Sequence, residues 1–144
     1  MTTTTLVVGA DGSKGSERAL AWCAEHAPTL QADVVVVHGV ETGPYVTVWM
    51  PEMAVPVMTP AQLDELHDAI ARDWCKPLAD AGVPFRVEAV AGRPSRVLID
   101  VARKCDAAMI VAGRRGRGGF AELLLGSTSH ELVHHGDRPV VLVP

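Results

Sequence analysis

The chain has 144 residues, of which 48% are apolar and 21% charged, and its formal net charge is −4. This length suits one domain over residues 1–144, and the composition excludes a disordered chain. The acidic balance disfavours a nucleic-acid partner, which needs many Lys and Arg contacts to phosphate, and no apolar run approaches the ~20 residues of a membrane-spanning helix.

The three cysteines, Cys23, Cys75 and Cys105, are far apart and form no CxxC pair. This usage predicts reduced thiols rather than a disulfide framework or a zinc site. The N-terminus Met-Thr-Thr-Thr-Thr lacks the charged and apolar regions of a signal peptide. We therefore expect a cytoplasmic protein with neither a membrane nor a nucleic-acid partner.

Short apolar runs and longer amphipathic stretches alternate along the first half of the chain. A β-branched run predicts a strand over 5–9, a helix over 16–30 starts at a cap from Ser13 or Ser16, and four consecutive valines mark a strand over 33–40. Residues 41–59 form a long apolar connection, read either as a flap folded on the domain or as a lid or partner surface. Thr59 then starts a helix that runs to Gly82.

The second half continues the alternation. Strands are predicted over 83–90, 107–112 and 139–143, and helices over 95–104 and 127–135. The order predicts an α/β fold: a Rossmann-like open parallel five-stranded sheet, strand order 3-2-1-4-5, with helices on both faces. We expect the strand over 83–90 near one edge and the last strand at the other.

In such a sheet, ligands bind beyond the carboxyl ends of the strands, where the strand order reverses. The glycine-containing loops there follow the strands at Ala10–Gly15, Gly39–Gly43, Gly92–Ser95 and Gly113–Gly119. The two richest follow the first and fourth strands, which are neighbours in this order. A nucleotide is therefore predicted between these two loops.

Two segments have the character of phosphate-binding devices. In Gly113-Arg114-Arg115-Gly116, glycines allow close approach of backbone amides, and consecutive N–H groups form an anion-binding nest. Gly126-Ser127-Thr128-Ser129 opens a helix, whose first amides and hydroxyls donate to an anion. Either segment alone is an ordinary turn or cap; their combination favours phosphate.

The spacing of these glycines, with two residues between Gly113 and Gly116 and nine more before Gly126-Ser127, resembles the ATP-binding motif of the universal stress protein family. The stretches around Gly9–Ser13, His38 and 139–143 are also similar, so the resemblance covers essentially the whole chain. It implies a Rossmann-like fold, ATP or a related ADP or AMP ligand, and a homodimer through strand 139–143. We further expect Mg²⁺ or Mn²⁺ on the phosphates of the nucleotide.

The resemblance also implies roles for individual residues. Asp11, with Ala10 beside it, approaches the adenosine, and the backbone at Gly39 lies near the base. The ribose and the phosphates are expected to contact a set of motif residues: Gly113, Gly116, Gly126, Ser127, Thr128 and Ser129. Relatives often carry a small residue at position 114. Arg114 either clashes with ribose or reaches a phosphate, and the sequence leaves both roles open.

No nucleophile–base pair or paired carboxylates can be assembled from the motif, so we expect a nucleotide-dependent regulatory switch read by a partner protein, with weak ATP hydrolysis or a nucleotide-free adaptor as alternatives. His38 is expected to be a packed strand-end residue. His130 and His134 have a spacing that zinc can use, but no third ligand accompanies them, so no metal site is predicted.

Overall fold

The computed structural model describes residues 3–41, 58–116 and 124–144. Five parallel strands form one sheet in the order β3-β2-β1-β4-β5. The strands are β1 (Thr4–Gly9), β2 (Ala32–Val40), β3 (Phe85–Ala91), β4 (Met109–Gly113) and β5 (Val140–Val143). The predicted fold and strand order are confirmed, with β3 and β5 at the two edges.

The helices lie on both faces of this sheet. They are α1 (Lys14–Leu30), α2 (Pro60–Ala69), α3 (Lys76–Asp80), α4 (Pro94–Lys104) and α5 (Ser127–His135), with a π-helical turn at Ile70–Trp74. One core cluster joins the sheet to α1, α3 and the π-helical turn, and a second joins it to α4 and α5. The central strands are buried on both faces, as their continuous apolar runs predict.

Two predicted helix starts are confirmed in detail. The Ser13 side chain accepts a hydrogen bond from the Ser16 amide at the start of α1. At the start of α2, Thr59 and Gln62 form the reciprocal capping box. Side-chain oxygens thus satisfy amides that have no partner within the helix.

The single helix predicted from Thr59 to Gly82 is wrong. After α2 the chain widens into the π-helical turn, where the Cys75 amide bonds to the Ile70 carbonyl at 3.2 Å, and the short helix α3 follows. Pro77 accounts for the break, because it has no N–H to donate and its ring crowds the carbonyl four residues earlier. The interruption also orients Trp74, whose ring meets His38 edge-on at 5.2 Å.

The predicted connection over 41–59 lies mostly outside the described residues, as do Arg117, Gly118, Gly119 and Phe120. Cys23, Cys75 and Cys105 are free thiols, and the first two are buried. Within the described ranges, no helix combines the length and apolar character needed to cross a bilayer.

Candidate functional site

The two motif segments meet at the carboxyl end of the sheet. The Gly126 amide donates to the Arg114 carbonyl at 2.9 Å, and the buried Ser129 hydroxyl donates to the Gly113 carbonyl at 2.7 Å. The Arg114 amide donates to the Val143 carbonyl at 2.8 Å, which extends the β4–β5 pairing by one residue. The start of α5 is therefore fixed to the loop after β4 by hydrogen bonds from both backbone and side chain.

The loop after β4 also touches the start of α1. A Cβ added to Gly15 would lie 2.0 Å from the Arg115 carbonyl oxygen, and one added to Gly113 would lie 2.5 Å from the Gly15 carbonyl carbon. Neither distance leaves room for a side chain. At Gly113 the structure shows a close backbone–backbone contact between two loops. The approach of a ligand to the motif glycines stays a prediction.

Asp11 lies on the other side of this contact. Its Oδ1 accepts the Ser13 amide at 2.9 Å, and its Oδ2 would be 2.7 Å from a Cβ at Gly116. Ala10, which is buried, donates its amide to Val37 at 2.9 Å. Asp11, Ala10 and Gly116 therefore belong to the same cluster as Gly113 and Gly126.

His38 supports this cluster from beneath. Its Nδ1 lies 2.8 Å from the Ala10 carbonyl oxygen, and because that oxygen only accepts, Nδ1 donates. The ring also packs edge-on against Trp74. The prediction of a packed strand-end histidine is confirmed, and its contact fixes the loop that carries Asp11.

Gly39 occupies a different position. A Cβ there would lie 2.7 Å from the Pro94 Cα and 3.2 Å from the Gly92 carbonyl oxygen. Its small size is therefore needed where β2 passes the start of α4. The structure links Gly39 to that packing contact, and its role beside a base stays a prediction.

Arg114 carries an unusual feature. Its Nε is buried and has no hydrogen-bond partner, the only such side-chain atom among the described residues. Buried polar atoms nearly always have partners, so an unpaired one in a half-buried side chain is unusual and costly. Exposed Ser127 and half-buried Thr128 follow at the first turn of α5, where three amides have no partner within the helix. The arrangement has donors and positive charge to offer an anion.

Clefts open on both faces of the sheet. One, of 560 Å³, opens between the first turns of α1 and the π-helical turn and is lined by Ser13, Leu20, Trp74 and Pro77 among others. The other, of 420 Å³, lies between α4 and α5. The first begins at the loop that contains Asp11, so it adjoins the candidate site.

Sequence reasoning missed two residues of this region. Gly15 was placed in the loop after β1 but given no contact of its own, although a Cβ there would lie 2.0 Å from the Arg115 carbonyl oxygen. Trp74 looked like one more member of an apolar helical stripe. The spacing of glycines does not show which loop each one faces, and an apolar helical stripe does not show which strand residue Trp74 meets, so neither contact had a signal in the sequence.

Comparison with known proteins places this arrangement in a family. The sequence model of the Universal stress protein family matches residues 2–144. A universal stress protein of Mycolicibacterium smegmatis is 32% identical over 143 residues, which cover 96% of this chain and 47% of that protein. The chain thus spans about half the length of that relative.

Solved structures share the fold. A universal stress protein in complex with cAMP superposes with a TM-score of 0.73 at 24% identity, covering 98% of this chain and 97% of the other. A universal stress protein from Archaeoglobus fulgidus in complex with dAMP superposes with a TM-score of 0.71 at 22% identity, covering all of both chains. With the family match over nearly its whole length, this chain belongs to the universal stress protein family.

Proposed function

We propose that this chain binds an adenine nucleotide, ATP or its relatives ADP and AMP, and acts as a nucleotide-dependent switch in a stress response. The phosphates lie between Gly113–Gly116 and Gly126–Ser127, with Ser129 supporting the loop, and the adenosine extends toward Asp11. A regulatory partner protein reads the resulting change.

The buried, unpaired Nε of Arg114 is the observation that carries the proposal. Arg114 is joined through its backbone to both Gly126 and β5, so its backbone is fixed where the two motif segments meet. A phosphate oxygen would supply the acceptor that this Nε lacks, and arginine binds phosphate through charge-assisted hydrogen bonds. Of the two roles open to Arg114, this favours contact with a phosphate.

The relatives support the ligand class. Structures with this fold hold cAMP in one protein and dAMP in another. Both molecules combine an adenine with a single phosphate group. Adenine and one phosphate are therefore the parts of the ligand that we expect this chain to recognise first.

A divalent cation fits the proposal only as a companion of the nucleotide. Among residues 3–41, 58–116 and 124–144, no three His, Cys, Asp or Glu side chains are grouped to hold a metal. Mg²⁺ usually binds through substrate phosphates and a few waters rather than through a protein cage. Asp11 is the carboxylate placed to contribute, because it lies beside Gly116.

Calorimetric titration of the full chain with AMP and with ATP, each with and without Mg²⁺, tests the proposal. Replacing Arg114 by Gln removes a charged hydrogen bond, so AMP affinity should fall about 10- to 100-fold. Arg86→Gln is the matched control, because Arg86 lies on the edge strand β3 and pairs with Glu88 instead. Absence of binding by the unaltered chain at millimolar ATP with metal would refute nucleotide binding.

A homodimer through strand 139–143 is part of the same proposal. All four residues of β5 are half-buried, and β5 pairs with β4 on one side within the described sheet. An apolar edge strand favours pairing with another strand, and two-fold symmetry lets two copies cover each other. Analytical ultracentrifugation of the full chain and of Leu142→Lys checks this: the dimer should be lost in the variant.

A cytoplasmic location completes the proposal. Cys23, Cys75 and Cys105 are all free, which suits a reducing compartment. Fractionation of the cells that produce this protein, with an antibody to detect the chain in each fraction, tests the cytoplasmic location.

A further inference from the structure

Two histidines on the exposed side of α5 lie against each other. His130 and His134 are one helical turn apart, both are exposed, and their ring centroids are 4.3 Å apart with planes tilted by 30°. Side chains at this spacing lie on the same face of a helix. The two imidazole rings are therefore in contact on one exposed face of α5.

A hydrogen bond orients one of the rings. His134 Nδ1 lies 2.8 Å from the His130 carbonyl oxygen. Since a carbonyl only accepts, Nδ1 carries the hydrogen, and the neutral ring keeps its lone pair on Nε2. Metal-binding histidines commonly donate their other nitrogen to a carbonyl in this way, which fixes the tautomer and the ring direction.

The neighbouring side chains leave this pair accessible. Glu131, between the two histidines in sequence, turns toward α4, where it accepts the Ser95 hydroxyl at 2.5 Å and pairs with Arg93 at 2.9 Å. His135 lines the cleft between α4 and α5. Over the described part of the chain no set of three ligands is grouped, so water would complete the coordination.

We propose that His130 and His134 form a two-imidazole site for a divalent transition metal. Imidazole nitrogen suits Cu²⁺, Ni²⁺ and Zn²⁺, whereas Mg²⁺ and Ca²⁺ require oxygen ligands. The general order of affinity places Cu²⁺ first. A bound ion links two successive turns of α5 and so stabilises the helix that begins at Ser127. This site is separate from the proposed nucleotide site.

Titration of the full chain with Ni²⁺ and with Zn²⁺, followed by calorimetry, tests the site. We expect one ion per chain. His130→Ala and His134→Ala should each lower the affinity at least about tenfold, because each removes one of two protein ligands. Alanine favours helix more than histidine does, so the variants should keep α5, and circular dichroism checks this.

His135→Ala is the matched control. His135 is also exposed on α5, but its ring centroid lies 6.5 Å from that of His134 and its side chain faces the cleft. Its loss should leave metal affinity unchanged. A rise in melting temperature with Ni²⁺ in the unaltered chain and in His135→Ala, but not in His130→Ala, supports the proposal.

Three results would overturn it. They are no binding at millimolar Ni²⁺ or Zn²⁺, equal loss of affinity in His135→Ala, and undiminished binding in the His130→Ala/His134→Ala double variant. The last result would assign the ion to other groups, such as the half-exposed Cys105 thiol.

Discussion

Replacing Gly15 by Ala tests whether the contact between the loops is essential. Gly15 is the second residue of α1, where alanine favours helix over glycine by about 1 kcal/mol. Without a steric conflict, the substitution would therefore stabilise the protein. The added Cβ, however, would lie 2.0 Å from the Arg115 carbonyl oxygen, far inside the contact distance of two heavy atoms.

Because the obstructing atom belongs to the backbone, no side-chain rotation relieves the clash, and α1 or the loop after β4 must move. Overpacking typically costs about 1–3 kcal/mol, and a backbone atom only 2.0 Å away places this site in the upper part of that range, at about 2–3 kcal/mol, which exceeds the gain in helix propensity. We expect a net loss of about 1–2 kcal/mol in the free energy of unfolding. Since the displaced loop contains Gly113 and Arg114, affinity for AMP should fall as well.

Urea denaturation gives the stability change, and calorimetric titration with AMP gives the affinity change. Gly82→Ala serves as a control, because Gly82 has φ +67° and nothing lies within 4 Å of its added Cβ. That variant loses stability through backbone strain of about 1–2 kcal/mol but should keep its AMP affinity. A Gly15→Ala protein that is as stable as the unaltered chain, or more stable, would refute the reasoning.

Three further predictions follow from described contacts. Ser129→Ala leaves the Gly113 carbonyl without its 2.7 Å partner and should cost about 1–3 kcal/mol in urea denaturation; an unchanged midpoint contradicts this. Thr59→Ala should cost about 1 kcal/mol by removing the α2 cap, whereas Thr59→Ser should retain most of it, and equal losses would refute the capping role. Burial raises the pKa of Cys23 to about 12 and that of Cys75 to about 11, from 9.0. The unfolded chain therefore loses these protons first, and above pH 9 the free energy of unfolding should fall by up to about 1.4 kcal/mol per pH unit for each thiol. Denaturation between pH 8 and 10.5 checks this, with Cys23→Ala as the comparison; a flat profile would contradict it.

The strand order could be predicted because strong local patterns leave few alternatives. Four consecutive valines at 34–37 suit a strand buried on both faces, and the alternation of strands and helices requires parallel pairing. The meeting of the loops after β1 and β4 follows from that order. Strand ends differed from expectation by one or two residues, as at β4, which begins at Met109.

The path of the segment between Thr59 and Gly82 could not be predicted in the same way. Its apolar residues keep helical spacing before and after the π-helical turn. Ile70 and Leu78 are both buried, as a single continuous helix would also place them. Pro77 was the signal of a break, but a proline is also allowed in the first turn of a new helix. Which carbonyl receives the hydrogen bond from the Cys75 amide depends on how this segment packs in the core against the sheet, and that information is not local.

The close contact of Gly15 with the loop after β4 could not be predicted from the sequence either. Glycine frequency marks loops, but the need for glycine at Gly15 and Gly113 arises from two segments remote in sequence. Similarly, the value of Arg114 to a ligand depends on the burial of one nitrogen atom, which only coordinates reveal.

The central position of β1 has a consequence for the order in which the protein assembles. Val7 pairs with Val35 on one side and with Ile110 on the other. During synthesis, β1 can therefore join β2 early, yet its second edge stays open until the last third of the chain has emerged. Closing so long a segment carries an entropic cost that slows folding, and an uncovered apolar strand is exposed to wrong partners in the interval. The nascent chain is thus most vulnerable to aggregation before β4 is made.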